Sequence, residues 1–163
     1  TDKGYRFYVN SLDLSKPKVS KKASEELEEA LASADDYEIS RKNLAKMMVE
    51  ISNQTVILAF TLEKVYYTGL SNLFSKPEFS ELAMIADVSQ VFDRCEECLQ
   101  DFYDKVGDEP NIFIGNEHPF GAVLSALSAR FGKNGEGLIA LVGPKRMDYL
   151  ANFSLMKKIK EII

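Results

Sequence analysis

Leu138-Ile139-Ala140-Leu141-Val142-Gly143-Pro144-Lys145-Arg146-Met147-Asp148-Tyr149 is the stretch on which the fold turns. Its first five residues are the most apolar short run in the chain and read as a buried strand. The residues beyond it keep helical spacing to the C-terminus. Gly143 to Tyr149 is therefore the joint between strand and helix, with Pro144 expected in the helix's first turn. Asp148 falls where the positive end of a helix dipole favours a carboxylate, and Lys157, Lys158 and Lys160 fall where the negative end favours cations. Arg146 opposes that dipole, so a carboxylate partner is expected for it. Two readings follow: an ion pair internal to the domain, or a site for an anionic ligand or partner.

Upstream, Asn134-Gly135 is the best short hairpin signal in the chain. It decides Val123 to Phe131, whose composition favours helix and whose alternation permits strand, in favour of a strand paired with Leu138 to Val142. The continuous apolarity of that second strand predicts a central place, covered on both faces. Asn111 to Gly115 is a further short strand, followed by a polar loop from Asn116 to Gly121. Thr55 to Thr61 is β-branched and nearly all apolar, and Lys64 to Thr68 is its neighbour in sequence. Leu62-Glu63 between them is poor two-residue turn chemistry, since neither takes a positive φ easily. Either the turn is wider or the strands do not pair directly.

Ser20 is the expected cap of a helix over Lys21 to Ser33, with a glutamate-rich outer face that reads as solvated surface. Ser40 is the expected cap of a second, carrying Leu44, Met47, Met48 and Ile51. Neither buries a face alone, so they must pack on each other, on the remaining chain or on a second copy. Residues 1–9 permit a short strand or the opening turn of a helix. Pro77 opens another helical stretch. Asp87 is placed to restart it, and Val88, Val91, Phe92, Cys95, Leu99 and Phe102 form one continuous stripe closed by Gly107.

Cys95-Glu96-Glu97-Cys98 has C-x-x-C spacing but lies within that stripe. A mid-helix position with acidic neighbours predicts structural thiols rather than a redox pair. His118, the single histidine, sits in a loop and reads as a surface residue. There is no nucleophile–base arrangement, no metal-ligand set and no glycine-rich phosphate loop, so no catalytic, cofactor-binding or metal residue is assigned. With 163 residues, 45% hydrophobic and 28% charged, the chain has the composition of an ordinary globular domain. Its net charge of −5 argues against this chain alone gripping nucleic acid. No apolar run is long enough for a membrane span, and two cysteines without a disulfide framework fit a reducing cytoplasm. Thr1 is not a translation start, so a fragment or a processed product is expected. The predicted class is α+β: an antiparallel sheet of about five strands with packed helices over 53–163, and N-terminal linker and helices over 1–52.

Four stretches carry a family resemblance: TDKGYRFYVNSL (1–12), GLSNLFSKPEF (69–79), IFIGNE (112–117) and LVGPKRMDY (141–149). In this order they resemble the HrcA family of bacterial heat-inducible transcription repressors. The resemblance implies a GAF-like regulatory domain of a homodimeric, non-enzymatic repressor of chaperone genes. It implies operator DNA binding through a winged helix ahead of Thr1, absent from this chain, and a chaperonin as a further partner. The family usually carries a long insert before the GLSNL-like motif, and here only Leu62-Glu63-Lys64 separates the two strands. If that insert serves pairing, the N-terminal helices are the candidates to replace it. The second reading is a GAF-like small-molecule sensor. Candidate regulatory, ligand or partner contacts are Arg146, Asp148, Tyr149, Asn116 and Glu117.

Overall fold

A computed structural model describes residues 1–163. Seven helices surround one five-stranded sheet. In chain order these are α1 (Asp2–Ser11), α2 (Lys21–Ala32), α3 (Tyr37–Ser52), β1 (Thr55–Thr61), β2 (Lys64–Thr68), α4 (Leu70–Phe74), α5 (Leu82–Asp93), α6 (Cys95–Tyr103), β3 (Asn111–Ile114), β4 (Leu124–Phe131), β5 (Gly137–Pro144) and α7 (Tyr149–Ile162). Short 3-10 turns at Pro77–Phe79 and Gly115–Glu117 join them. The sheet runs β2-β1-β5-β4-β3 and every neighbouring pair is antiparallel. The α+β class and the central position of Leu138 to Val142 are as the apolar pattern predicts.

Alternate side chains on a strand point to opposite faces, and here both faces are covered. Val56, Leu58, Ile139 and Leu141 pack under α2, α3 and α7 with Leu27, Leu44, Met48, Leu155 and Ile159. Ile57, Ala59, Leu138, Ala140 and Val142 face the other way, onto Leu73, Phe79, Val88, Phe92, Leu99 and Phe102. All eight residues of β5 are buried. Residues 1–52 share this layer with α7, contributing Val9, Leu27, Leu44, Ala45 and Met48.

Several local expectations are revised. Residues 2–11 form a helix, capped by the Thr1 hydroxyl on the Gly4 amide at 3.1 Å. Ser20 caps α2 as expected, accepting from the Ala23 amide at 3.1 Å. Ser40 does not cap α3. Asp36 does, accepting from the amides of Glu38 and Ile39 at 3.0 and 2.8 Å, while the Ser40 hydroxyl turns back to the Tyr37 carbonyl. β1 and β2 do pair directly, Thr61 opposite Lys64, with the register shifting between Ala59 and Thr61. That bulge re-aims the strand and removes the need for positive φ at Leu62-Glu63. The Asn134-Gly135 hairpin forms, as a five-residue connection with positive φ at Gly132 and Gly135. Pro144 ends β5 rather than opening α7, whose N-cap is Asp148. α5 starts at Leu82, so Asp87 is interior, and α6 ends at Tyr103, ahead of Gly107.

Leu141 has no exposed surface. Leu141→Ala should cost about 2–5 kcal/mol in urea unfolding. Leu150→Ala, on the 41%-exposed outer side of α7, should change stability by less than about 0.5 kcal/mol. Equal effects would contradict the two-sided burial of β5.

Candidate functional site

In this strand order, the N-terminal ends of β1 and β4 and the C-terminal ends of β2, β3 and β5 lie at one end of the sheet. Gly69 to Phe79, Ile112 to Glu117 and Leu141 to Tyr149 therefore meet there, and the first turns of α1 lie across them.

The charged residues of this end are joined across the motifs. Arg146 has the carboxylate partner its position demands: its guanidinium donates to Glu78, which is thereby held below the usual carboxylate range. The pair ties the β5–α7 joint to the turn after α4. Arg146 is 61% exposed, so solvent screens the pair and its role is positional. Lys145 pairs with Asp2 of α1. Arg6, one helical turn further on, pairs with Glu117 and also donates to the Ile112 carbonyl at 2.9 Å. Glu117 in turn accepts from the Ile114 amide at 2.8 Å. α1 is thus clasped at two points, once by the late motif and once by the β3 turn. Gly115 has φ of 59°, and a Cβ there would run into the Asp2 carboxylate. Gly143 likewise leaves room for the Gln54 side-chain amide, whose oxygen is buried without a partner.

The five candidate residues take different parts. Asp148 is the α7 cap, accepting from the Ala151 amide at 3.0 Å. Tyr149 is buried, and its hydroxyl donates to the Lys145 carbonyl and accepts from Ser125 at 2.7 Å. Burial pushes that phenol up to about 12. Arg146 and Glu117 hold the ion pairs described, and Asn116 is exposed. They share one end of the sheet but form no common cleft. The five main surface clefts, of about 300 to 630 Å³, include neither Arg146, Tyr149 nor Asn116 in their walls. Glu117 lines one of about 460 Å³ beside Arg6 and Asn111. Sequence reasoning missed Asp2, Arg6 and Lys145 as the other halves of the clasp. The signal available was the four-residue spacing of Asp2 and Arg6, which puts both on one helix face.

His118 is not a surface residue. It is 5% exposed, with the Phe120 amide donating to Nδ1 at 3.1 Å and Nε2 facing the Leu124 carbonyl at 3.0 Å. Nδ1 must accept, so the ring is neutral with its proton on Nε2. Burial lowers its pKa to about 4, against the smaller upward effect of the Leu124 carbonyl. The ring stacks on Phe120 at 5.5 Å and closes the turn into β4. Cys95 is not mid-helix either: the stripe breaks at Arg94, and Cys95 is the first residue of α6. The dipole there would favour a thiolate, but burial dominates, helped by Cys98 and Glu96, and drives the thiol up to about 12. Cys98 is raised too, by burial first. Both thiols are free.

A family model described as "HrcA protein C terminal domain" matches residues 12–151. The chain belongs to the HrcA family. It is 33% identical over 102 residues to the heat-inducible transcription repressor HrcA of Oceanobacillus iheyensis, covering 60% of this chain and 30% of that one. The same-named protein of Halalkalibacterium halodurans is 29% identical over 103 residues, covering 61% and 30%. That of Moorella thermoacetica is 24% identical over 147 residues, covering 87% and 42%. The chain thus spans between 30% and 42% of the length of these relatives. The family is one of transcription repressors, not enzymes. A solved structure titled "Crystal structure of a hypothetical protein at 2.2 A resolution" superposes with a TM-score of 0.71 at 14% identity, over 99% of this chain and 76% of that one. That likeness is one of fold. No helix is long and apolar enough to cross a membrane.

Two measurements check these environments. An unfolded chain protonates His118 near 6.5 and the folded chain only near 4. Between those values the unfolded state binds more protons, so stability falls as pH drops through that window, by on the order of 3 kcal/mol. His118→Gln should therefore show a shallower loss of stability from about pH 7 to about pH 4.5 in urea unfolding, whatever its stability at neutral pH. A slope equal to wild type would mean the ring is accessible to protons in the folded state. Cys95 should react with iodoacetamide at least about 100-fold more slowly in the folded chain than in urea, followed by peptide mass mapping.

Proposed function

We propose that this chain is the regulatory and pairing part of a heat-inducible transcription repressor of chaperone genes, working in the bacterial cytoplasm as a homodimer. Operator DNA is gripped by a winged helix elsewhere in the full protein, and a chaperonin is the partner that sets its activity. The observation that carries the reading is the match to the family's C-terminal part over residues 12–151. The net charge of −5 supports it, because a part with an excess of acid relies on another part to hold phosphates.

The clasp on α1 supplies a physical route. In this reading, residues 1–12 belong to the segment that leaves the DNA-binding head. Asp2–Lys145 and Arg6–Glu117 hold that segment against the end of the sheet. A partner that shifts the β5–α7 joint or the β3 turn thereby shifts the helix leading to the head. Two heads on a symmetric operator require a fixed spacing, and pairing provides it. The apolar side chains left in solvent on α1, Phe7 at 79% and Tyr8 at 52%, suit a pairing face.

Light scattering on a sizing column tests this. A dimer is expected at micromolar concentrations, and Phe7→Asp should raise its dissociation constant at least about tenfold. A strict monomer overturns the reading.

A further inference from the structure

The opposite end of the sheet carries a feature that the repressor reading does not use. An open cleft of about 630 Å³ lies where the start of α3, the β4–β5 hairpin and the last turns of α7 come together. That volume falls in the range of small-molecule sites. Its walls include Tyr37 and Arg41 from α3, Phe131, Lys133 and Glu136 from the hairpin, and Lys160 from α7.

The aromatic side is continuous. Tyr37 packs on Phe60 at 6.2 Å between centroids, and Phe60 packs edge-on to Phe131 at 6.4 Å. Three cations stand around it, and none of Arg41, Lys133 and Lys160 has a carboxylate within salt-bridge distance. Lys160 is held in place by the Arg130 carbonyl. Glu136 is the one acidic side chain in the walls, which the terminal residue Ile163 also lines. Its carboxylate accepts from the Asn134 amide at 2.8 Å and so is turned onto the hairpin loop.

Arg41 is the most constrained of the three. Its guanidinium lies over the Tyr37 ring, 3.9 Å from the centroid, and Nη1 donates to the Ser40 hydroxyl at 3.0 Å. Those contacts fix the plane and occupy one edge. Nε is buried with no acceptor, and Nη2 makes no hydrogen bond within the protein. Nη2 is therefore the guanidinium donor left open to a ligand, and a charged N–H donating to a carboxylate makes one of the stronger hydrogen bonds.

We propose that this cleft binds a small organic anion with a flat apolar body and one carboxylate. The carboxylate sits on Nη2 of Arg41, the body lies along Tyr37 and Phe131, and Lys133 and Lys160 supply field. The site is independent of Arg146, Glu117 and the pairing face, so it stands or falls separately from the repressor reading.

Calorimetric titration with benzoate, benzamide and inorganic phosphate tests it. Benzoate should bind saturably, with benzamide and phosphate at least about tenfold weaker. Arg41→Gln should weaken benzoate at least about tenfold, and Lys133→Gln, at an exposed loop position that leaves the fold untouched, by about two- to fivefold, more at low salt. The folded state of Arg41→Gln is confirmed by its amide NMR spectrum, and Lys133→Gln decides the matter if it fails to fold. No saturation at millimolar benzoate overturns the proposal. So does benzamide or phosphate binding as well as benzoate, or indifference to both substitutions. Binding of an acidic peptide by a chain that ignores benzoate overturns it as well, and assigns the cleft to a macromolecule.

Discussion

The pairing of β1 with β5 at the centre of the sheet is the constraint from which the remaining structure follows. Antiparallel sheets often leave one face to water, but here the two central strands are buried on both faces. Each face therefore has to be roofed. The N-terminal helices with α7 roof one, and the segment between β2 and β3 roofs the other. The connections carrying the roofing helices must leave and re-enter the sheet at its ends. The chemistry collects at those ends because backbone amides and charged side chains reach solvent there.

The two ends differ in how their charges are used. At one end six charges are matched in pairs across the chain: Asp2 with Lys145, Arg6 with Glu117, Glu78 with Arg146. These pairs are partly exposed and add little stability each, but they fix the orientation of α1 against two loops. α1 is held by these screened pairs and by Val9, which is buried with the core. At the other end Arg41, Lys133 and Lys160 remain without carboxylates beside an aromatic wall.

His118 and Cys95 show how burial overrides residue type. Both looked classifiable from their neighbours in sequence, the histidine as a loop residue and the cysteine as mid-helix. The histidine is drawn inside because its two ring nitrogens satisfy a backbone amide and a carbonyl that the turn into β4 leaves free. The cysteine sits at a helix start because the chain breaks at Arg94, yet its thiol is packed against the sheet and stays protonated. Neither outcome is visible to a reading that sees only residues nearby in the chain.

The sequence by itself determined what depends on local pattern. The apolar run at Leu138 to Val142 specified a central strand, Asn134-Gly135 a hairpin, Ser20 a helix start, and the order of four motifs a family. It also demanded a partner for Arg146, since a cation before a helix has a cost that a carboxylate offsets. Only the tertiary structure decided that the partner is Glu78, that Asp36 outcompetes Ser40 as a cap, and that Phe60 is absorbed in a bulge. It alone brought Asp2 and Arg6 against loops more than a hundred residues away. The physical reason is range. Propensity, capping and periodicity act over a few residues, whereas the convergence of strand ends follows from sheet order, which pairs residues far apart in the chain.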